Sequence, residues 1–430
     1  MKTPSRRRAT TALLVLLLAT SSPAVLADAY ADVRAELVAA YQAEDYAAMR
    51  VAADTALGAR PEYPSALFNK ALAEVLDGDT AAAMATLGRL VEKRIDLRVE
   101  DIESFAPLAE HPAWASYQAG IDAIRLPVGN ATVVLTADRS DFIPEGIAVN
   151  AAGDIILGSI RHGQVLFLRS GMAETAIGPA GHWSVFGMRF DGDGGLWFAS
   201  SRVPQYVGIS DRSAYKAGLF RLNLRTLQVD QRARLPVADG SQVLGDLVIA
   251  GSTIYTTDSV DGPVYQYSIP EEAYSVLVSR GDFGSPQGLV LDESGEHLYV
   301  ADYIGGLYRV ALDDRRVEKV AVPRSVSDYG IDGLYRHGDR LIAIQNGIRP
   351  HRVTAFTLSD GGLAVDSAEI LAMNLPEFDE PTLGTVVGDD FYFVANSHWN
   401  RFDADNNLPD DLSGPIVLRL KLSAHGSPER

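Results

Sequence analysis

The residues of this chain best suited to chemistry open six similar segments that follow residue 126. Each segment begins with a polar or turn residue, continues as a short apolar strand, turns through an Asp- or Gly-rich hairpin and returns as a second strand. The six opening residues are Glu145, Phe186, Asp246, Gln287, Asp332 and Thr382. If they surround one axis, the three carboxylates repel one another, and at least one keeps a proton unless a cation lies between them.

A hard divalent cation would relieve that repulsion. Calcium takes about six to eight oxygen ligands, so we predict a calcium site formed by Glu145, Asp246, Gln287 and Asp332. The absence of Cys and His at these positions argues against zinc. The alternative is that basic side chains neutralise the carboxylates, and the candidates in neighbouring loops are Arg161, Arg202 and Arg349.

Histidines could supply a general base at the same place. Four of them are expected in loops on the same side of the molecule as the six opening residues, namely His162, His182, His351 and His398. Imidazole titrates near neutral pH, so His182, which precedes Trp183, and His398, which opens a long insertion, are candidate catalytic bases alongside Asp246. The alternative is that each is an ordinary polar loop residue.

Two long loops follow the second strands of their segments on the same side of the molecule, at residues 201–217 and 397–414. Long loops on a rigid scaffold often form the walls of a binding site. The aromatic residues that could line a substrate cleft are Tyr206, Tyr215, Trp399 and Phe402.

The elements that position these residues are predicted from the repeat itself. The strand pairs recur roughly every 40 to 60 residues, and six copies with further strands after each indicate a six-bladed β-propeller over residues 126–422. The last blade shows only three clear strands. We therefore predict that the strand at 131–136, which precedes the first repeat, closes the last blade as its outer strand.

The segments Pro144-Glu145-Gly146, Pro286-Gln287-Gly288-Leu289 and Ile331-Asp332-Gly333-Leu334 give the propeller a family resemblance. Over residues 130–422 the chain resembles the gluconolactonase and senescence marker protein superfamily, whose wider relatives are paraoxonase and diisopropylfluorophosphatase. The resemblance implies a catalytic calcium held by Glu145, Gln287 and Asp332, assisted by Asp246. The chain departs from that pattern at Gln287, where the family usually has Asn, and this puts activity in doubt more than fold.

The N-terminal part, residues 28–125, has a helical period. Helices are predicted at 33–41, 46–57, 64–76 and 79–93, and Pro64 suits the first turn of a helix. Over residues 28–95 the helices resemble tetratricopeptide repeats. They would form either a surface for a protein partner or a helical cap on the propeller.

Composition and the first residues restrict the classes of function and predict a cellular location. Lys plus Arg is 38 and Asp plus Glu is 56, a net charge of −18 that disfavours nucleic-acid binding. With no cysteine, disulfides and thiolate sites are excluded. Residues 1–27 are predicted to be a secretory signal peptide, giving a secreted or periplasmic protein with no membrane span after cleavage, and residues 423–430 a loose tail.

Two functions follow from these features. The first is a calcium-dependent hydrolase of lactones or related esters, in which the metal polarises the carbonyl. The second is a non-catalytic binding or scaffold protein, because propellers and helical repeats commonly serve as interaction platforms.

Overall fold

The computed structural model describes residues 29–168, 174–208, 215–238, 241–260 and 262–422. The predicted leader at 1–27 and the predicted tail at 423–430 lie outside these ranges. Within them the chain forms five α-helices and then six four-stranded antiparallel sheets arranged as the blades of a propeller. The predicted fold is confirmed: the protein is mainly β, a six-bladed propeller preceded by a helical region.

The strands follow one another blade by blade. The closing strand and blades 1 to 3 contain β1 (Thr132–Thr136), β2 (Pro144–Val149), β3 (Ile155–Ser159), β4 (Val165–Leu168), β5 (Thr175–Ile177), β6 (Ser184–Phe190), β7 (Gly195–Ser201), β8 (Ala217–Asn223), β9 (Gln228–Arg234), β10 (Leu244–Ala250), β11 (Thr253–Asp258), β12 (Val264–Ser268) and β13 (Ala273–Val278). Blades 4 to 6 contain β14 (Pro286–Leu291), β15 (His297–Asp302), β16 (Gly306–Ala311), β17 (Val317–Lys319), β18 (Ile331–His337), β19 (Arg340–Gln345), β20 (Arg352–Leu358), β21 (Val365–Met373), β22 (Gly384–Val387), β23 (Asp390–Val394) and β24 (Ile416–Lys421).

The ring closes by pairing the first strand with the last. Blade 6 has the strand order β1-β24-β23-β22, with Thr132 opposite Arg419 and Thr136 opposite Ile416. This confirms the predicted closure. It joins the two ends of the propeller in one sheet, so the ring does not depend on contacts between separate blades alone.

Five of the six inner strands, all except β22, begin with a β-bulge, which lets neighbouring blades approach closely at the axis. In β2 the register shifts between Pro144 and Ile147, and a matching shift opens β14 between Pro286 and Leu289. A side chain at Gly146 would collide with the carbonyl oxygen of Phe186 in the next blade, so this position requires glycine. The bulge therefore fixes where the opening residue lies in blades 1 to 5.

The helices are α1 (Ala29–Gln42), α2 (Tyr46–Ala59), α3 (Pro64–Leu76), α4 (Thr80–Glu92) and α5 (Trp114–Ile124), with short 3₁₀ helices at Val99–Asp101, Glu103–Glu110 and Trp399–Arg401. The carboxylate of Asp45 caps α2 by accepting the Ala48 N–H at 3.0 Å, and Asp79 caps α4 through Ala82 in the same way. The helices predicted from the sequence are confirmed, but their tetratricopeptide character is not.

The helical region rests on the face of the propeller where the inner strands begin. The Tyr329 hydroxyl, just before β18, donates to the Pro61 carbonyl at 2.8 Å, and the Asp96 N–H donates to the Arg349 carbonyl at 3.0 Å. Tyr329 and Ile348 are buried in the hydrophobic core of the helices. The helices therefore cover part of the face at which Asp332 opens blade 5. Among the described helices none combines the length and apolar character needed to cross a bilayer.

Candidate functional site

Four acidic residues interact electrostatically near the propeller axis, and we call Glu145, Asp246, Asp332 and Glu380 the carboxyl cluster. Burial and the charge of Asp332 raise the pKa of Glu145 well above its usual range. Burial, reinforced by the charges of Glu380 and Asp246, raises the pKa of Asp332 to about 7. The pKa shifts of Glu145 and Asp332 therefore have the direction that repulsion between neighbouring carboxylates predicts.

Neighbouring side chains orient the two strongly shifted carboxyl groups. The indole N–H of Trp399 donates to Oε2 of Glu145 at 2.7 Å. The amide of Asn346 donates to Oδ2 of Asp332 at 2.7 Å and accepts from the Tyr303 hydroxyl at 3.0 Å. Glu145 and Asp332 are therefore held in place by donors, with no basic side chain bonded to either in the described residues.

Asp246 lies in a different position from the one predicted. In β10 the register shifts between Leu244 and Leu247, so Gly245 is the equivalent of Glu145 and Asp246 occupies the position of Gly146. The Asp246 side chain is 1% exposed and forms an ion pair with Arg189 at 3.1 Å. Basic neutralisation, the alternative considered for the carboxylates, is therefore observed at Asp246, but through Arg189 of β6.

Two of the four predicted calcium ligands are engaged by neighbouring protein groups. Both oxygens of Asp246 accept hydrogen bonds, Oδ2 from Arg189 and Oδ1 from the Leu247 N–H. The amide of Gln287 donates to the Ser285 hydroxyl at 3.1 Å. Across the described residues no group of three or more His, Asp or Glu side chains is arranged to hold a metal ion. Calcium binding by Glu145, Asp246, Gln287 and Asp332 therefore stays a prediction.

His182 is a buried residue bonded to the backbone. Its Nε2 is 2.9 Å from the Gly163 carbonyl, and its Nδ1 accepts the Ala180 N–H at 3.2 Å. Its ring packs on Phe198 and Phe220, and burial lowers its pKa to about 4. With both nitrogens occupied, His182 has no free atom with which to accept a proton from a substrate.

His398 has the surroundings of a base. Its Nδ1 is 3.0 Å from Oδ2 of Asp379, and its Nε2 is 3.4 Å from the Ser413 hydroxyl and 3.1 Å from the Ser413 carbonyl. With the proton on Nδ1, donated to Asp379, Nε2 is an acceptor that faces both the Ser413 hydroxyl and the Asn396 amide, whose Nδ2 lies 3.2 Å away. His398 itself is 3% exposed, whereas Ser413 lies at the surface. We call Asp379, His398 and Ser413 the relay.

Local backbone structure assembles the relay from three segments. Asp379 forms an isolated parallel bridge with Asn396, which ends blade 6's second strand, and this brings Asp379 beside His398. His398 adopts a left-handed backbone conformation with φ of 59°. The Asn396 side chain accepts the Ile416 N–H at 2.7 Å, and its Nδ2 lies within 3.2 Å of the Gly414 carbonyl, the Ser413 hydroxyl and His398 Nε2.

The relay and the carboxyl cluster are neighbours along the chain at two points. Asp379 precedes Glu380, and His398 precedes Trp399, the donor to Glu145. The Asn400 N–H donates to the Glu380 carboxylate at 2.8 Å, which clamps the two segments together. A cavity of about 460 Å³ lies between the 397–414 insertion and the loop after β3, and its walls include Leu412, Pro409, His162 and Arg161. The relay residues do not line this cavity, although Leu412 directly precedes Ser413.

Sequence reasoning missed Arg189, Asp379 and Ser413. Each acts on a residue distant in sequence, and Asp379 and Ser413 lie outside the repeated strands, whereas Arg189 lies in β6. A weak signal existed for Ser413, because Ser413-Gly414 ends the long insertion that His398 opens.

No protein-family model matches the chain, and no curated protein matches it significantly. Solved structures similar to it include the calcium-binding protein regucalcin from Agrobacterium tumefaciens, with 17% identity, a TM-score of 0.46 and coverage of 68% of this chain and 98% of that one. They also include the pyrroloquinoline quinone-bound aldose sugar dehydrogenase from Streptomyces coelicolor (15%, 0.46, 68% and 98%) and a luciferin-regenerating enzyme (12%, 0.49, 70% and 98%). Similarity at this level assigns neither a reaction nor a ligand to this chain.

Proposed function

We propose that the protein is a hydrolase of lactones or related carboxylic esters and that the relay carries out the reaction. The hydrogen-bonded order Asp379–His398–Ser413 is the observation that supports this. A carboxylate that holds one nitrogen of an imidazole, with a serine hydroxyl at the other, is the arrangement that activates serine as a nucleophile.

In the proposed reaction, Ser413 Oγ attacks the carbonyl carbon while His398 Nε2 takes the hydroxyl proton. Asp379 keeps the other ring proton on Nδ1 and stabilises the imidazolium. His398 then gives its proton to the leaving alkoxide, which in a lactone stays joined to the acyl group. Water then attacks the acyl-serine and gives a proton to His398, which passes it to Ser413 Oγ as the acyl–oxygen bond breaks. One ester and one water thus give one acid and one alcohol, and a lactone gives a single hydroxy acid.

The carboxyl cluster would select among substrates. Burial and the charge of Asp332 raise the pKa of Glu145, which favours its neutral form, and a neutral carboxyl group can donate a hydrogen bond to an ester or hydroxyl oxygen. The remaining negative charge disfavours anionic substrates and repels the carboxylate product. We therefore expect neutral lactones and esters to be preferred over acidic ones.

The hypothesis drawn from the sequence also makes the hydrolysis depend on calcium. Because Asp246 is ion-paired with Arg189, a bound calcium ion would have only Glu145 and Asp332 as ligands among the predicted carboxylates. We derive no step through it. Activity measured with excess calcium and with chelator separates the two routes, and the relay predicts equal rates in both.

The decisive experiment measures hydrolysis of aryl acetates and γ-lactones by the wild type, Ser413→Ala and a control, Ser294→Ala, which lies in an exposed hairpin. Removing the nucleophile should lower kcat about 10³-fold or more, and the control should keep full activity. Mass spectrometry after treatment with a phosphonyl fluoride should place the adduct on Ser413. Full activity in Ser413→Ala would rule out the relay. Hydrolysis by none of the three proteins would favour the binding-protein alternative.

A further inference from the structure

A second cavity lies where the C-terminal end of α4 meets blade 5. Its volume is about 340 Å³, and we call it the α4 cavity. The residues that matter for the argument are Lys93, Arg94, Ser327, Arg352, Val326 and Ile370.

Arg352 is a buried cation without an acidic partner. It is 3% exposed, and its guanidinium donates to the carbonyls of Lys93 at 3.2 Å, Arg94 at 2.6 Å and Pro350 at 3.1 Å. In the described part of the chain no carboxylate lies within ion-pairing distance of it. A guanidinium has more N–H groups than these carbonyls use, so it can still donate to a ligand.

The charges around Arg352 are not balanced locally. Burial and the charge of Arg94 lower the pKa of Arg352 to about 9, and no acid offsets them. Lys93 is already paired with Glu62 at 3.1 Å, and the acidic Glu92 at the rim is exposed. A buried charge without a counter-ion is costly, and an anion in the cavity would remove that cost.

Ser327 provides a buried hydroxyl group without a hydrogen-bond partner. It is 7% exposed and lines the cavity, and its hydroxyl has no hydrogen-bond partner. The neighbouring Thr354 hydroxyl instead donates to Gln345 at 2.7 Å. Buried hydroxyl groups are normally satisfied, so this one points to a missing acceptor.

We infer that the α4 cavity binds an organic anion, a carboxylate or phosphate ester on a small apolar body, through Arg352 and Ser327. Oxyanions accept hydrogen bonds from guanidinium and hydroxyl groups together. The apolar part would pack on Val128, Val326, Ala368 and Ile370. This site is separate from the relay, and the inference does not depend on the proposed function.

The test titrates the whole protein with inorganic phosphate, acetate and isobutyrate at constant ionic strength, following heat of binding and Tm. We expect saturable binding that raises Tm, with isobutyrate about tenfold tighter than acetate because it buries more apolar carbon. Tighter binding of phosphate than of either acid would identify the ligand as a phosphate ester. If none of the three anions binds, the inference is wrong.

A designed variant links binding to the cavity. Ser327→Asp places a carboxylate beside Arg352, so it should abolish anion binding and raise Tm in the absence of anions. Ser367→Asp makes the same change on the exposed face of β21 in the same blade and should leave binding unaltered. Anion binding of wild-type strength in Ser327→Asp would overturn the assignment.

Discussion

Asp246 shows how a glycine in a neighbouring strand decides whether a buried carboxylate can be held. A side chain at Gly187 of β6 would collide with the Asp246 carboxylate, which Arg189 holds at 3.1 Å. Gly187→Ala should therefore displace Asp246 from Arg189 and lower the free energy of unfolding by about 1–3 kcal/mol. Chemical denaturation measures this.

The control for Gly187→Ala is the same change in a helix. Gly88 in α4 has open space where a β-carbon would lie, so Gly88→Ala should raise stability by about 0.5–1 kcal/mol. Equal effects of the two substitutions would show that the close approach between Gly187 and Asp246 has no energetic weight.

Asp332 makes stability depend on pH. Its pKa is raised from the ordinary 3.8 to about 7, so between these values the folded protein binds more protons than the unfolded chain. The free energy of unfolding should therefore fall as pH rises through this range. In Asp332→Asn the drop in Tm between pH 5 and pH 8 should shrink, whereas the exposed Asp360→Asn should leave it unchanged. A drop of wild-type size in Asp332→Asn would contradict the assignment.

Among the elements, the 397–414 insertion is tied to the carboxyl cluster by two hydrogen bonds, from Trp399 to Glu145 and from Asn400 to Glu380. Trp399 is the residue that ties it to Glu145, at 2.7 Å. Trp399→Phe keeps the ring beside Phe402 but removes the donor, so amide exchange in the insertion should become about ten- to a hundredfold faster. Trp114→Phe, in the helical region, is the control and should leave amide exchange in the insertion unaltered. Unchanged exchange in Trp399→Phe would show that other contacts hold the insertion.

The repeating elements were predictable because each carries its own signal. Strand alternation and hairpin residues recur in all six blades, and the strand at 131–136 had only one free edge to join. The prediction failed at Asp246 because Gly245-Asp246 reverses the order of Glu145-Gly146, and the bulge, not the sequence order, sets the register. The relay was not predictable in full, since Asp379 and Ser413 meet His398 only through the β-bridge and the end of the insertion.

At the scale of the whole molecule, side chains of the propeller contribute to the hydrophobic core of the helical region. Tyr329 and Ile348 come from the propeller but are buried among the helices, at 4% and 3% exposure. The helices alone form a small region, and burial of these side chains supplies part of the apolar contact that stabilises it. The helical region and the propeller should therefore unfold together.

Calorimetry tests this coupling. The wild type should show one cooperative transition, and Ile348→Ser should separate it into two, with the helices unfolding first, because it removes apolar contact at the junction. The control is Ile156→Ser, the same change in the core between blades 1 and 2, which should lower Tm by several degrees without dividing the transition. A single transition in Ile348→Ser with an unchanged ratio of calorimetric to van't Hoff enthalpy would mean that hydrogen bonds such as Tyr329 to Pro61 suffice to couple the two parts.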